Sequence, residues 1–393
     1  MARCRRWKIW ICPLLLSIGV TYVLYSLIAP GNTGISSHLP FAVKGSKVYY
    51  HKTEHSKHTL TLYDPFSRDY SDSIGLKGLQ SFDCVRAIEG FPVSFSEKSS
   101  PVIPLSDEAF IERTKDCSTF RERYGYHRYG HVTEEERSFP LAFNILLYKE
   151  VAQLHLLLRA IYRPHNSYCL HVDGHAAPQV FEATRRLTAC VPNVFLASRR
   201  ENITYSGFSR LQADLNCMED HWRRSVSQRV PWRYLFNLPS QDFPLKSNLE
   251  MVKILTIYNG SNDIEGITGN RMLKNRFVFK HKLRLQAETG RLQVVRTEEK
   301  HEPAPHNISV VKGSAYGIFS RAFVHYVLHD QRAKDLLNWC RVIDSPDEYF
   351  WATLHHNPHL HVPGGYNGKV VNGGGGGVGG AGVHGDSSAA VKY

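Results

Sequence analysis

Residues 141–173 read LAFNILLYKEVAQLHLLLRAIYRPHNSYCLHVD, and the periodicities in this stretch decide the fold class. Leu141 to Leu147 is a short apolar run of strand length. From Val151 to Tyr162 the residues Val151, Leu154, Leu157, Leu158 and Ile161 fall at helical spacing and make one apolar face. Ser167 to Val172 reads as a second strand, ended by Asp173-Gly174. The alternation continues downstream. Pro178 to Cys190 reads as helix, Asn193 to Ala197 as strand, Phe208 to Arg224 as helix and Tyr234 to Leu238 as strand. A further helix spans Ser247 to Tyr258, with Ser247 as N-cap and Glu250 completing a capping box. Strands that alternate with helices imply an α/β fold whose mostly parallel sheet is covered on both faces. Ligands on such sheets bind beyond the carboxyl ends of the strands. Asp173 is at one such end, and the loop from Pro239 to Pro244, with Asp242, is at another.

Towards the C-terminus, Ser345-Pro346-Asp347-Glu348-Tyr349-Phe350-Trp351-Ala352-Thr353-Leu354 sets two adjacent carboxylates at a turn and follows them with bulky apolar residues. The proline favours an extended Ser345, and Asp347 suits a helix N-cap. A helix from about Glu348 would bury its apolar face and hold Glu348 rigidly in the first turn, as a general base requires. Asp347, if buried instead, would raise one carboxyl pKa. Gly313-Ser314-Ala315-Tyr316 reads as a tight turn before a strand from Gly317 to Ser320. His355, His356, His359 and His361 read as surface histidines, because Pro358 interrupts the helical spacing and no glutamate lies between His355 and His359.

The N-terminal end reads differently. Arg3, Arg5, Arg6 and Lys8 precede an apolar run from about Ile9 to Ala29. About twenty such residues cross a bilayer as a helix, and the basic flank keeps the N-terminus cytosolic. The run is long for a signal peptide and lacks a small-x-small cleavage site, so an uncleaved anchor is the expectation. The expected organisation is a cytoplasmic tail (1–8), a transmembrane anchor (9–29), a stem and irregular lead-in (30–138), a globular domain (139–363) and a Gly-rich tail (364–393). His51, His55 and His58 read as solvated stem residues. The formal net charge is +12. A lumenal domain meets no nucleic acid, so the excess of cations points to anionic sugar nucleotides or membrane surfaces. Six cysteines lie on the lumenal side (Cys84, Cys117, Cys169, Cys190, Cys217 and Cys340), where disulfides are the default. Acceptor sequons begin at Asn202, Asn259 and Asn307, which fits the secretory pathway.

Several of these motifs, in the same order, carry a resemblance. Arg159 to Asp173, Ala213-Asp214-Leu215-Asn216-Cys217, Asp242 to Asn248, Gly313 to Tyr316 and Ser345 to Glu348 closely resemble the core-2/I-branching β-1,6-N-acetylglucosaminyltransferases. The resemblance runs from roughly Cys84 to Pro363, is strongest to the mucin-type core-2 branch enzymes, and extends more distantly to the xylosyltransferases. It implies a single-pass type II Golgi protein with a GT-A-like fold. It also implies inverting transfer of GlcNAc from UDP-GlcNAc to the 6-hydroxyl of Gal or GalNAc in O-glycans, with no divalent metal or other cofactor. By the same resemblance Glu348 is the catalytic base. Leu146, Asp173 and Tyr205 contact the donor, Glu265 and Arg276 contact the acceptor, and the disulfides are Cys117–Cys190 and Cys169–Cys217. In the family, the Arg and Lys that clamp the diphosphate and the partner of Cys84 lie in a C-terminal segment. Here a Gly-rich stretch follows Pro363, and the expectation is a truncated form. Cys84 is left to pair with Cys340, to remain free, or to crosslink a second chain as a homodimer. The alternatives are a weakly active or inactive anchored relative that binds glycans or partner enzymes, and a transferase that uses UDP-xylose.

Overall fold

A computed structural model describes residues 105–127, 131–227 and 231–368. The expected anchor (9–29), the histidines at 51, 55 and 58, Cys84 and the tail from 369 lie outside the described residues. Everything below belongs to one compact unit within Leu62–Tyr393. Among the described residues no helix is long and apolar enough to cross a membrane.

The elements follow the expected alternation. They run α1 (Asp107–Arg113), α2 (Cys117–Arg123), α3 (Glu134–Arg137), β1 (Leu141–Leu147), α4 (Val151–Ile161), β2 (Ser167–Val172), α5 (Pro178–Cys190) and β3 (Val194–Leu196). Then come α6 (Phe208–Ser227), β4 (Tyr234–Pro239), α7 (Asn248–Tyr258), α8 (Asn275–Val278), β5 (Phe279–Leu285) and β6 (Leu292–Lys300). β7 (Ile318–Ser320), α9 (Arg321–His329), α10 (Gln331–Trp339) and α11 (Phe350–His355) complete the order. The central sheet is β3-β2-β1-β4-β7. Its first four strands are parallel, and β7 runs antiparallel at the edge.

All seven residues of β1 are buried, because helices cover both faces of the sheet. The pleat divides them. Leu141, Phe143, Ile145 and Leu147 join a cluster with Leu154, Leu158 and Leu187 from α4 and α5, whereas Ala142 packs with Leu211, Leu215 and Met218 of α6. The capping box at Ser247 and Glu250 is formed, with both reciprocal hydrogen bonds present. The described part of the lead-in is more ordered than its irregular sequence suggests. Helices α1 and α2 bury Phe110 and Phe120, and Tyr124 behind them is also buried in the cluster that holds α4. Two disulfides tie these parts together: Cys117–Cys190 joins α2 to α5, and Cys169–Cys217 joins β2 to α6. Cys340 is a free, buried thiol. Outside the sheet, β5 and β6 pair as an antiparallel hairpin whose Leu283, Leu285 and Leu292 are exposed.

Candidate active site

The carboxylate Glu348 is held by a turn that the sequence only half describes. Residues Pro346–Glu348 form one 3-10 turn, and the α-helix begins two residues later at Phe350. Ser345 is left-handed, with φ 52° and ψ 55°, rather than extended. The proline disfavours only the right-handed helical region at Ser345. The left-handed state is held by the Ser345 N–H donating to Ser206 O at 2.8 Å and by Ser345 Oγ donating to Asp344 Oδ1 at 2.7 Å. Below the turn, Phe350, Trp351, Ala352, Thr353 and Leu354 are all buried, so the apolar run anchors the carboxylate as its sequence implied.

Both the backbone and the side chain of Glu348 are fixed. Its carbonyl accepts from Gly313 N at 2.7 Å, and its N–H donates to Ser345 O at 2.9 Å. Oε2 accepts from Arg276 Nη1 at 2.7 Å and lies 2.8 Å from Lys312 Nζ. Both cations close on the same oxygen, Oε2. The Glu348 side chain is 29% exposed, so solvent and substrate reach it. Gly313 allows this approach. A Cβ there would lie 2.2 Å from Glu265 O and 2.9 Å from Ala352 Cβ. The two residues expected on the acceptor side both lie at the Glu348 turn: Glu265 packs its backbone on Gly313, and Arg276 pairs with Glu348. Lys312, which sequence reasoning missed, completes the set from the position next to Gly313. The only signal for it was that adjacency.

Asp347 is not an N-cap. Its carboxyl is buried beside the Arg210–Asp214 ion pair, which closes at 2.6 Å with Asp214 wholly buried. Burial pushes the Asp347 carboxyl up to about 6, against the pull of the Arg210 guanidinium, with Glu348 and Asp214 adding repulsion. The tertiary position of the turn, over α6, overrides the local capping preference. The network continues into the sheet. Asn237 Nδ2 donates to Asp214 Oδ2 at 3.2 Å and to Ala315 O at 2.8 Å, while Gly317 N donates to Asn237 Oδ1 at 2.7 Å. Asn144 Nδ2 donates to Asp214 O at 3.1 Å. Asn144 and Asn237 face each other in register on β1 and β4. Their signal in the sequence was a Phe-Asn step inside two otherwise apolar strands.

Two of the residues expected to contact the donor, Leu146 and Asp173, lie at the carboxyl ends of β1 and β2. Leu146 is buried near the end of β1, and Asp173 N donates to Leu147 O at 2.8 Å. All the polar contacts of the Asp173 carboxylate fall on Oδ1: His175 N at 2.9 Å, Ile203 N at 3.2 Å and the His175 ring at 3.3 Å. Tyr205 projects from the loop after β3 and is 92% exposed. That loop touches both Asp173 and the Glu348 turn. It bonds Asp173 through Ile203 and the base turn through Ser206, and the three peptide steps between these residues span at most ~11 Å. A cavity of about 500 Å³ lies between this loop, the first turns of α6 and the β5–β6 hairpin. Glu201, Asn202, Thr204, His281, Leu283 and Ile343 line it, but Asp173 and Glu348 do not. The cavity thus contains neither carboxylate.

Asp242 is half-buried, and burial raises its carboxyl. No group of three or more metal-ligating side chains occurs among the described residues. The histidines near the C-terminus divide. His355 is buried and its imidazole is pushed down to about 3, while His356 is half-buried with Nδ1 2.9 Å from Ala352 O. Only His359 and His361 are the surface residues expected, because α11 packs its whole length into the core. The sequon residues Asn202, Asn259 and Asn307 are all exposed.

The family profile described as Core-2/I-Branching enzyme matches residues 141–374, a span that includes every element from β1 to α11. The beta-1,3-galactosyl-O-glycosyl-glycoprotein beta-1,6-N-acetylglucosaminyltransferase 4 of Danio rerio is 38% identical over 290 residues, which is 73% of this chain and 66% of the relative. The corresponding transferase 3 of Bos taurus is 37% identical over 258 residues, 66% of this chain and 56% of the relative. The N-acetyllactosaminide beta-1,6-N-acetylglucosaminyl-transferase of Homo sapiens is 41% identical over 233 residues, 59% of this chain and 56% of the relative. The chain thus spans 56% to 66% of the length of these curated relatives.

Proposed function

Because the chain belongs to the Core-2/I-branching enzyme family, we propose that it is a β-1,6-N-acetylglucosaminyltransferase that moves GlcNAc from UDP-GlcNAc to the 6-hydroxyl of Gal or GalNAc in O-glycans. The observation that carries this reading is the Glu348 carboxylate, with Oε2 held by Arg276 and Lys312 and the side chain 29% exposed. In the proposed reaction Oε1 accepts the proton of the acceptor hydroxyl as that oxygen attacks the anomeric carbon of the donor. The C1–O bond to the diphosphate breaks on the opposite face, UDP departs with the bonding pair, and a single displacement inverts the anomeric configuration. The logic is that of inverting glycosidases, with a sugar hydroxyl in place of water. Two cations on Oε2 fix the direction of Oε1 before the acceptor arrives, which is the preorganisation such a step needs.

In this reading Asp173 and Leu146, at the strand ends, and Tyr205, on the connecting loop, take the nucleotide. Glu265 and Arg276 take the acceptor sugar. The sheet is a GT-A-like support, and no divalent metal is required. In this reading the protein is a single-pass type II Golgi membrane protein; the three exposed sequon asparagines and the two disulfides support a secretory-pathway protein. The test is to incubate the purified full chain with UDP-GlcNAc and a Gal-β1,3-GalNAc acceptor, with and without EDTA, and to determine the product linkage by NMR. The expected product is a β-1,6 branch formed equally in both conditions. UDP release no faster than without acceptor would overturn the proposal, and dependence on a restored metal would overturn its metal-independent form.

A further inference from the structure

The sequon Asn202-Ile203-Thr204 is bonded to Asp173 and Gly174 just beyond the carboxyl end of β2, whereas the other two sequons have no such contact. The Asn202 side chain lies flat against the backbone of Gly174. A Cβ added to that glycine would come within 1.8 Å of Asn202 Oδ1. On either side of Asn202, Glu201 O accepts from Gly174 N at 2.8 Å, and Ile203 N donates to the Asp173 carboxylate at 3.2 Å. Asn202 also lines the 500 Å³ cavity, yet it is exposed, so its amide has a way out to solvent. Asn259, by contrast, caps the C-terminal end of α7, and Asn307 is in the turn closed by Ile308 N on Pro305 O. Neither lines the cavity.

From this placement we infer that Asn202 is an N-glycosylation site whose occupancy blocks nucleotide binding at Asp173, so that glycosylated and donor-binding chains are distinct populations. The inference rests on the donor reading of Asp173 given above. The modification is an oligosaccharyl transfer from a lipid-linked oligosaccharide diphosphate. Asn202 Nδ2 forms a bond to C1 of the first sugar, the C1–O bond to the diphosphate breaks, the lipid diphosphate leaves with the electron pair, and one amide proton is lost to base. Thr204 is only 6% exposed, and its N–H donates to Ser209 Oγ at 2.8 Å. The folded chain therefore hides part of the sequon, and transfer must precede folding of this loop. Occupancy is thus fixed once per molecule during synthesis. A bulky glycan rooted against Gly174, one residue from Asp173, then competes with a nucleoside diphosphate for the carboxyl end of β2.

The test uses the full chain made in mammalian cells and purified in detergent. Glycopeptide mass spectrometry measures occupancy at each sequon, and calorimetry measures UDP binding. Material occupied at Asn202 is expected to bind UDP at least about tenfold more weakly than N202Q protein or than the same material after enzymatic removal of N-glycans, with N259Q and N307Q binding like the parent. An unoccupied Asn202 would overturn the inference. So would equal UDP binding by occupied and N202Q protein, which leaves the donor site itself standing. If neither N202Q nor the deglycosylated chain binds UDP while both remain folded by circular dichroism, the donor reading fails and the inference fails with it.

Discussion

Asp347→Asn should remove a pH-dependent penalty that burial imposes on the fold. The carboxyl is pushed from 3.8 to about 6 in the folded chain, chiefly by desolvation and only partly offset by Arg210. The folded state therefore holds its proton more tightly than the unfolded state does. The penalty is absent below the unfolded value, grows as pH rises from about 4 to about 6, and is constant above that. The shift of roughly two units corresponds to about 3 kcal/mol at pH 7, against about 0.5 kcal/mol at pH 4. Asparagine has almost the same shape and does not titrate. Urea denaturation of the parent and the variant at pH 4 and pH 7 separates this effect from other groups, because only the difference between the two proteins is compared. The variant should gain about 2 kcal/mol relative to the parent between the two pH values. A difference that stays constant with pH would refute the claim that an ionised Asp347 is buried over the Arg210–Asp214 pair.

Other consequences follow from the same geometry. Lys312→Met and Arg276→Met each leave one cation on Glu348 Oε2, so each should lower kcat by about 10- to 100-fold through loss of aim, with little change in UDP affinity. Steady-state kinetics with isothermal UDP titration separates the two quantities. Gly313→Ala drives a methyl group into the Glu265 carbonyl and the Ala352 side chain, and should cost about 1–3 kcal/mol in denaturant unfolding as well as activity.

Periodicity made most of the sheet legible. β1 and β2 fall where their apolar runs are, and α5 runs from Pro178 to Cys190 as read, because those residues pack against near neighbours in a regular βαβ arrangement. The local signals failed where tertiary partners set the outcome. Ser345 is left-handed because Ser206, far away in sequence, accepts its N–H, and no rule about residues before proline contains that contact. Asp347 reads as a cap and is instead part of a buried charge network built from α6, β1 and β4. Lys312 gave no motif of its own, since its role is fixed only by the fold that sets Gly313 against Glu348. The β5–β6 hairpin has mixed alternation with charges on both strands, and it buries too little apolar surface to announce itself. Glu348 and Asp173 were legible from their turn and strand end and were given roles by the resemblance, which alone named Arg276, while the loop that touches both carboxylate segments became visible only in three dimensions.

The rate of GlcNAc transfer by Glu348→Gln protein tests the account most directly. The amide keeps the size of the side chain but cannot accept a proton, so kcat should fall by about 10²- to 10⁴-fold while UDP binding is unchanged. A Glu348→Gln protein that transfers GlcNAc at the parent rate would contradict the assignment of this carboxylate as the base.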